Sequence, residues 1–439
     1  MASSESKLKA ARAALEHIHT VIQPGFGFRL WDGSTIPAAG LPVLVTINDE
    51  GVISTLLRRP KLETLIDAWV QGRIDLIGGS LFDLASLRPS GKTRGLRRNL
   101  KKRLLLKAAL PFLFSSSSLR PSARVDGEGR RDGSEASNKR NISHHYDVSN
   151  EFYRLFLDER MVYTCGYFTD EQKALNQAQL DKLDMICCKL RLQKGDRLLD
   201  IGCGWGALIC FAAQNYGVVA HGVTLSEEQV KLGRERIAAH GLDERVRITL
   251  QDFSKLKGSY TKISSIGMFE HVGLRNHRTY FKAVKNLLEP GGIYLHHAIT
   301  RPGKLTDKAF NKKPAEYKAL IRYIFPGGEL DHIGMSLRNL EATGFEVHDV
   351  EGWRRHYALT TRHWAERLME RKNEASVLVG PQTYRMWELY LCGVSLAFER
   401  GAAQIFQTVA TRKTKGTSAL PLTRDELYRH EMKTLPEKA

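Results

Sequence analysis

Short apolar runs alternate with helical stretches from about residue 140 onward. Six of these runs predict strands: Arg197–Ile201, Val218–Val223, Val246–Leu250, Ile263–Met268, Ile293–Ile299 and Gln404–Ala410. Strands that alternate with helices build a mainly parallel sheet with helices on both faces. We therefore predict a doubly wound α/β domain over residues 140–439.

The first 113 residues have a different pattern, which is typical of a small α+β domain. The apolar runs Leu41–Ile47 and Val52–Leu57 flank a turn at Asn48–Gly51. Two such runs across a turn predict a β-hairpin. Between Lys61 and Ile77, apolar residues recur at helical spacing and predict one helix with an apolar face.

A polar segment separates the two regions. Residues 114–139 are rich in Gly, Ser and Arg and have no periodicity, which predicts a flexible linker. Just before it, Lys92–Lys107 contains eight Lys and Arg and no acidic residue, with Leu96, Leu100 and Leu104 four residues apart. A basic amphipathic helix of this kind binds anionic lipid headgroups. Taken by itself, the Lys92–Lys107 stretch is explained equally well as a solvated helix or as part of a linker.

Composition narrows the class of protein. A chain of 439 residues with 42% hydrophobic and 26% charged residues is expected to fold as two domains. Lys and Arg outnumber Asp and Glu by 66 to 48, so the net charge of +18 favours a polyanionic partner, either nucleic acid or anionic lipid. The six cysteines lack framework spacing, and we expect free thiols in the cytoplasm. No apolar stretch is long enough to predict a spanning helix.

A glycine-rich loop follows the first predicted strand of the α/β domain. Leu198–Gly206 reads LLDIGCGWG, so that Asp200 ends the strand and Gly202, Gly204 and Gly206 open a helix. Glycines let the backbone approach a ligand closely, and the helix N-terminus offers amide donors. The spacing differs from the dinucleotide fingerprint. It resembles the first motif of class I methyltransferases, which cradles the amino-acid end of S-adenosylmethionine; a purely structural tight turn is the alternative.

Two later loops carry further candidates for cofactor binding. Thr224, Ser226 and Gln229 follow the second strand, where many methyltransferases place an acid on the ribose hydroxyls. A Gln amide can bind the same hydroxyls. Gln251 and Asp252 follow the third strand, where the adenine amine is usually bound, although a surface loop would carry such residues too.

Five separated runs resemble one family in particular. They lie at 141–168 (NISHHYDVSNEFYRLFLDERMVYTCGYF), 265–273 (SIGMFEHVG), 296–300 (HHAIT), 323–328 (YIFPGG) and 356–364 (HYALTTRHW). Together they resemble the cyclopropane-fatty-acyl-phospholipid synthase family, which includes the mycolic acid cyclopropane synthases. The resemblance implies a Rossmann-like class I S-adenosylmethionine-dependent methyltransferase domain, preceded by a small α+β N-terminal domain.

The resemblance also implies roles for individual residues. Cys165, Glu270, His297, Ile299 and Tyr357 match the family residues that hold a bicarbonate ion beside the transferred methyl group. Tyr163 and Thr164 are implied to help bind the cofactor. With the loops above, the candidate residues for binding S-adenosylmethionine are Tyr163, Thr164, Asp200, Gly202, Cys203, Gly204, Trp205, Gly206, Thr224, Leu225, Ser226, Gln229, Gln251, Asp252 and Ile266.

The implied reaction transfers a methylene carbon to the cis double bond of a phospholipid acyl chain. The alkene attacks the sulfonium methyl group, and the resulting carbocation closes to a cyclopropane when a base removes a proton. A protein carboxylate in an apolar tunnel tends to take up a proton itself, so bicarbonate held by His297 and Tyr357 and oriented by Glu270 is a better base. Candidate rings that stabilise the cation are Tyr146, Tyr167 and Phe168.

Alternative functions remain open from the residues alone. A related C-methyltransferase would quench the same cation to give a methyl-branched or methylene product. A nucleic-acid methyltransferase would use the positive charge, but no N-P-P-Y-type motif follows the fourth strand, and we expect no nucleic-acid partner. His144, His145, His271 and His296 with Cys187 and Cys188 lack the spacing of metal ligands, so we expect no metal.

The expected partner is an anionic phospholipid membrane that carries unsaturated acyl chains. We expect a cytoplasmic protein that associates peripherally with the inner face of the cytoplasmic membrane. Relatives in the family work as homodimers, and a homodimer is expected here as well.

Overall fold

The computed structural model describes residues 3–88, 97–113, 149–323, 328–418 and 420–428. These residues form two compact units. The first contains Met1–Arg124 together with Pro314–Tyr323 and Val379–Cys392, and the second contains the rest of the chain. Two segments from the later part of the sequence therefore belong to the first unit. A division of the chain into two domains at the predicted linker does not include them there. The predicted linker and the residues His144, His145 and Tyr146 lie outside the described residues.

The first unit has a four-stranded sheet with helices. Its strands are β1 (Gly27–Arg29), β2 (Thr35–Ile36), β3 (Leu44–Ile47) and β4 (Ile74–Ile77), in the order β2-β1-β3-β4. Only β1 and β3 run parallel among these pairs. Its helices in the first part of the chain are α1 (Ser4–Ile22), α2 (Glu50–Arg58), α3 (Leu62–Val70), α4 (Leu81–Ser86) and α5 (Lys102–Leu113).

The predicted hairpin in this unit is wrong. Val52–Leu57 lies in helix α2, where the Asp49 side chain caps the helix by accepting a hydrogen bond from the Gly51 amide at 2.5 Å. The antiparallel partner of β3 is instead β4, which lies at the end of the predicted long helix. That helix stops at Val70, and Gly72 follows with a φ of +68° that ends the helical conformation. A short apolar run does not by itself distinguish a strand from a buried helix.

The basic helix begins later than predicted. Residues 89–96 lie outside the described residues, and α5 begins at Lys102 and continues past Lys107 to Leu113. Its basic side chains Lys102, Arg103 and Lys107 are exposed. Leu106 and Leu110 are also exposed, at 68% and 59%, while other residues of the helix are buried against the unit. The helix therefore presents basic and apolar side chains to solvent together.

The second unit contains a seven-stranded mixed sheet. Its strands are β5 (Arg197–Ile201), β6 (Val219–Thr224), β7 (Val246–Leu250), β8 (Tyr260–Ile266), β9 (Leu288–Thr300), β10 (Phe345–Gly352) and β11 (Gln404–Arg412), in the order β10-β11-β9-β8-β5-β6-β7. The five strands from β9 to β7 are parallel, and β11 is antiparallel to both neighbours. All six predicted strands are present, and β10 is additional. The predicted α/β fold of the methyltransferase domain is confirmed.

Helices cover both faces of this sheet. The helices of the second unit are α6 (Asn150–Arg154), α7 (Leu175–Lys189), α8 (Ala207–Tyr216), α9 (Glu227–Ala239), α10 (His277–Leu287), α11 (Asp307–Asn311), α13 (Ile333–Ala342), α14 (Arg354–Glu370), α15 (Lys372–Val379, except its last residue) and α17 (Asp425–Tyr428). Helix α12 (Ala315–Tyr323) belongs to the first unit, and α16 (Pro381–Glu399) belongs to the first unit up to Cys392 and to the second unit after it. One apolar core includes Ile186, Phe211 and Ile237, and a second includes Phe281 and Leu340. No helix among the described residues is long and apolar enough to cross a membrane.

Candidate active site

The glycine loop lies at the carboxyl end of β5, where the strand order of the parallel sheet reverses. Ligands of such sheets bind at this switch point. Gly202 and Gly206 have φ values of +79° and +81°, a conformation that favours glycine. A Cβ on Gly202 would lie 2.8 Å from the Cβ of Met268. Neither position therefore tolerates a side chain, and the bare backbone leaves room for a ligand.

A cavity of about 330 Å³ opens at this edge of the sheet. Of the predicted cofactor residues, those that line it are Tyr163, Thr164, Asp200, Gly202, Cys203, Gly204, Trp205, Thr224, Leu225, Gln229, Gln251, Asp252 and Ile266. Gly206 and Ser226 do not line it. Gly206 precedes α8, and Ser226 caps α9 by accepting a hydrogen bond from the Gln229 amide at 3.3 Å. These two predicted residues shape the loops around the cavity.

Gln229 is oriented by a neighbour in the cavity wall. The Thr224 hydroxyl donates a hydrogen bond of 2.6 Å to Gln229 Oε1, and both side chains are buried. Because the carbonyl oxygen is engaged, the amide NH₂ of Gln229 remains a donor. This NH₂ group can donate a hydrogen bond to the ribose hydroxyls of the cofactor. The sequence analysis predicted this role for Gln229 in place of an acidic residue.

Lys182 is a cavity residue that the sequence did not single out. It lies on α7, is buried, and donates a hydrogen bond from Nζ to Thr164 Oγ1 at 3.0 Å. Burial lowers the pKa of Lys182 to about 8, although Asp158, Cys165 and Asp200 oppose the shift. Burial likewise raises the pKa of Asp200 to about 6, against the hydrogen bond from Ser264 and the charge of Lys182. A lysine in a helix usually faces solvent. The sequence around Lys182 therefore did not indicate that its side chain is buried beside the cavity.

Three of the five predicted bicarbonate residues lie in or beside β9. His297 and Ile299 are two residues apart, so they project from the same face of the strand. Glu270 lies in a 3₁₀ turn (Phe269–His271) after β8. Its Oε1 accepts a hydrogen bond from the Ile299 amide at 2.6 Å. The backbone of β9 therefore fixes the position of the Glu270 carboxyl group.

Trp353 joins the remaining two residues to this group. Its ring centroid lies 5.2 Å from that of His297, and its carbonyl oxygen lies 3.9 Å from Cys165 Sγ. The same carbonyl accepts the Tyr357 amide at 3.1 Å, at the start of α14. Trp353 thus links His297 to Cys165 by contacts that the sequence did not reveal, and Tyr357 follows Trp353 by one turn of α14. The five predicted residues and Trp353 are together called the cluster.

Two polar side-chain atoms of the five predicted residues are buried and unsatisfied. Glu270 Oε2 and His297 Nε2 have no hydrogen-bond partner among the described residues. Burial raises the pKa of Glu270 to about 7, although the Ile299 amide opposes the shift. Burial lowers the pKa of His297 well below its usual value. Because buried polar atoms are normally paired, the two atoms suit a small ligand that can both donate and accept hydrogen bonds.

Cys165 and the candidate aromatic rings complete the description of the cluster. Burial raises the pKa of the Cys165 thiol far above its usual value, so the thiol is neutral and poorly nucleophilic. Tyr167 packs against Trp353 at 5.0 Å and stacks on His356 at 4.9 Å between ring centroids. Phe168 stacks on the ring of His363. Within the described residues, no group of His, Cys, Asp or Glu side chains is arranged to hold a metal ion.

Comparison with known proteins identifies the family. The family described as mycolic acid cyclopropane synthetase matches residues 134–408. The chain belongs to this family. It is 37% identical to a probable fatty acid methyltransferase of Pseudomonas putida over 419 residues, which cover 95% of this chain and 98% of the relative. It is 40% identical over 268 residues to the cyclopropane-fatty-acyl-phospholipid synthase of Escherichia coli K12, covering 61% and 66% of the two chains.

The fold of this family member is also found in solved structures. The mycolic acid cyclopropane synthase CmaA1, in complex with SAH and CTAB, matches with a TM-score of 0.58 and 33% identity, covering 62% of this chain and 98% of that one. The protein is therefore an S-adenosylmethionine-dependent methyltransferase of a family that modifies lipids. The names of the relatives include both methyltransferases and cyclopropane synthases, so family membership leaves the product open.

Proposed function

We propose that the protein is a cyclopropane-fatty-acyl-phospholipid synthase. It would transfer a methylene carbon from S-adenosylmethionine to the cis double bond of an unsaturated phospholipid acyl chain. The observation that carries this proposal is the pair of unsatisfied buried atoms on Glu270 and His297, close in the chain to residues that line the cofactor cavity. Thr164, which precedes Cys165, lines the cavity, and so does His271, which follows Glu270. Residues that act on the transferred carbon need this proximity to the cofactor.

The reaction needs a base at the site of methyl transfer. The alkene carbon forms a bond to the methyl carbon while the carbon–sulfur bond breaks, and S-adenosylhomocysteine leaves. The acyl chain then carries a carbocation, and the ring closes when a proton leaves the transferred methyl group. One oxygen of Glu270 already accepts the Ile299 amide, so the proposal gives Glu270 the role of orienting the base rather than being the base itself.

The residues of the cluster fit a bicarbonate ion. Bicarbonate, when bound, would supply the base that receives the proton. His297 Nε2 would hold an anion oxygen as a hydrogen-bond donor, and Glu270 Oε2 would accept from the anion's hydroxyl group. The Tyr357 hydroxyl group belongs to the same proposed set. The Ile299 amide donates to Glu270, so its role is to position the carboxyl group.

A second candidate product has one specific observation in its favour. The relative from Pseudomonas putida that matches 95% of this chain is named as a probable fatty acid methyltransferase. Without ring closure, a 1,2-hydride shift would move the cation to the methyl-bearing carbon, and loss of a proton from the transferred methyl group would give a methylene chain. A saturated methyl-branched chain would form only if a separate hydride donor reduced the cation. We favour ring closure because the five residues match, by family resemblance, those that hold bicarbonate in cyclopropane synthases. A methylene product would also need a base near the transferred carbon, so analysis of the product decides between the two.

The product distinguishes the two candidates. The purified protein would be incubated with methyl-labelled S-adenosylmethionine and vesicles of unsaturated phospholipid, and the acyl chains analysed by mass spectrometry before and after mild hydrogenation. A labelled chain that has gained one CH₂ and takes up no hydrogen supports the cyclopropane. A labelled chain that takes up hydrogen, or that has gained two further hydrogens, would contradict the proposal.

We also propose that the protein acts as a peripheral protein on an anionic membrane, at the inner face of the cytoplasmic membrane, and as a homodimer. Support for the membrane comes from α5, where exposed basic residues and exposed leucines occur together. Binding to anionic vesicles without binding to RNA is the expected result. Tight RNA binding without vesicle binding would favour a nucleic-acid partner. Light scattering after size-exclusion chromatography tests the dimer.

A further inference from the structure

We propose that Gln407 is a positioning residue that holds His297 in the tautomer with its proton on Nε2. Lys189 Nζ donates a hydrogen bond to Gln407 Oε1 at 2.7 Å, and Gln407 Nε2 lies 3.2 Å from His297 Nδ1. The three side chains are buried and form a relay from α7 through β11 to β9. The tautomer itself follows from these contacts, and only its catalytic consequence rests on the proposed function.

The relay begins with a charged lysine. Lys189 forms an ion pair with Glu351 and lies 5.1 Å from the centroid of the Trp353 ring. Burial lowers the pKa of Lys189, but Glu351 opposes this through its charge and hydrogen bond. The ion pair favours the ammonium form, which has three donors and no acceptor. Whichever group of Gln407 faces Lys189 must therefore be the carbonyl oxygen.

The orientation of the Gln407 amide then fixes the proton on His297. With Oε1 at Lys189, the NH₂ group of Gln407 faces His297 Nδ1, which must accept. Gln407 and His297 are also register partners in the antiparallel pair of β9 and β11, so their side chains are cross-strand neighbours. Amide orientations in structures are usually assigned from such networks. Here a donor-only lysine removes the ambiguity.

The consequence lies at His297 Nε2. Burial lowers the pKa of His297 well below its usual value, so the ring is neutral and carries one proton. If Nδ1 accepts from Gln407, that proton is on Nε2, which is buried and has no partner among the described residues. The opposite tautomer would present a lone pair at this position and repel an anion. Gln407 thus makes His297 a donor for the ligand of the cluster.

Nuclear magnetic resonance can read the tautomer directly. The full-length protein would be labelled with ¹⁵N-histidine, and long-range ¹H–¹⁵N correlation spectra would be recorded. The signals of His297 are identified by their loss in His297→Gln. In the wild type we expect Nδ1 to have the shift of an unprotonated nitrogen and Nε2 that of a protonated one. A protonated Nδ1 in the wild type would overturn the proposal.

Two substitutions test whether Gln407 is responsible. Gln407→Glu keeps the size of the side chain but replaces the amide donor with an acceptor, so the proton of His297 should move to Nδ1. Gln407→Leu removes the contact and should give a mixture of both tautomers, which keeps the test possible if the first variant does not fold. Retention of the wild-type tautomer in a folded variant contradicts the proposal. Gln404→Glu, on the same strand, is the matched control and should keep the wild-type tautomer.

Kinetics separate positioning from a loss of structure. In Gln407→Glu we expect kcat to fall by at least about tenfold, because a donor to an anion is lost, while the KM for S-adenosylmethionine stays within about twofold. A parallel loss of cofactor binding would indicate structural damage and count against a positioning role. Mass spectrometry of the product tests the proposed function separately, since a methyl-branched product would leave the tautomer result unaffected.

Discussion

Glu270 is a buried carboxyl group with one satisfied oxygen and one unsatisfied oxygen. The Ile299 amide holds Oε1, and Oε2 has no partner among the described residues. Such a group costs free energy in the folded protein unless a ligand pairs with it. His297 presents a second unsatisfied atom among the same predicted residues. Burial raises the pKa of Glu270 and lowers that of His297, and so favours the neutral form of both side chains. Both can then form hydrogen bonds with a small polar ligand.

Substitution of Glu270 should separate catalysis from cofactor binding. We expect Glu270→Ala to lower kcat by about 100-fold, a typical loss for a group that assists proton transfer. Binding of S-adenosylmethionine should change little, since Glu270 is absent from the residues that line the cavity. Calorimetry measures the binding, and the labelled-product assay measures turnover. Glu244→Ala, which removes an exposed carboxylate, is the control. Near-normal turnover of Glu270→Ala would exclude the proposed role.

Lys182 predicts a pH dependence of cofactor binding. Its ammonium group lines the cavity, where it can attract the carboxylate of S-adenosylmethionine. Burial lowers the pKa of Lys182 to about 8, so the charge is present below this pH and is lost as the pH rises through it. Affinity should therefore fall above about pH 8. Lys182→Met should bind at least about tenfold more weakly, the value of one charge-assisted hydrogen bond, and with a smaller dependence on pH.

Calorimetry at a series of pH values checks this prediction. The cofactor has a titrating amino group of its own, so the comparison of the two proteins isolates the contribution of Lys182. An identical pH dependence in the wild type and in Lys182→Met would show that the lysine does not contact the carboxylate. Decarboxylated S-adenosylmethionine offers a second test, since Lys182→Met should weaken its binding less than that of the intact cofactor.

At the scale of elements, α5 offers two contributions to the proposed membrane binding. Its basic residues attract anionic headgroups, and each contributes about 1 kcal/mol near the surface. The exposed Leu106 and Leu110 can enter the apolar part of the interface. These contributions depend differently on salt, because only the charged interaction is screened by ions.

Vesicle co-sedimentation can measure the two contributions separately. Replacing Lys102, Arg103 and Lys107 with Gln should weaken binding to anionic vesicles strongly at low salt and little at high salt. Replacing Leu106 and Leu110 with Ser should weaken binding at both salt concentrations. The matched control replaces three exposed lysines of the second unit and has the same net charge as the first variant: Lys304, Lys308 and Lys312. Equal losses in this control would mean that overall charge, rather than α5, determines binding.

At the scale of the whole molecule, the first unit is built from distant parts of the chain. Arg385 donates to the carbonyl oxygens of Trp69 and Ile74 and forms an ion pair with Asp75. Its guanidinium group also lies 4.3 Å from the centroid of the Trp69 ring. Tyr323 adds a hydrogen bond from its hydroxyl group to Asp67. The core of the first unit is therefore completed only after most of the chain has been synthesised.

Loss of Arg385 should destabilise the first unit. We expect Arg385→Ala to lower its free energy of unfolding by about 2–3 kcal/mol, because the variant loses two charge-assisted hydrogen bonds, an ion pair and the contact with the Trp69 ring. Urea unfolding monitored by tryptophan fluorescence measures the change. Arg371→Ala, which removes an exposed arginine, should leave the transition in place. An unchanged transition in Arg385→Ala would show that the first unit is stable without this segment.

The sequence by itself determined the α/β pattern of the second unit and the position of its glycine loop. Both are local: apolar periodicity specifies an element, and the residues of the loop are consecutive in the chain. The family resemblance added the prediction that Glu270, His297 and three further residues belong to one site. The hairpin at Val52–Leu57 was wrong because a short apolar run fits either a strand or a buried helix, and the choice depends on capping and on partners elsewhere.

Only the tertiary structure decided which distant side chains meet. Lys182 lines the cavity. Lys189 contacts Gln407, which in turn contacts His297, and Arg385 contacts distant residues of the first unit. None of these contacts has a local signal, because the residues are far apart in the chain and each is ordinary in its own segment. Their importance comes from burial, which removes water as an alternative partner and makes each hydrogen bond and charge depend on a specific neighbour.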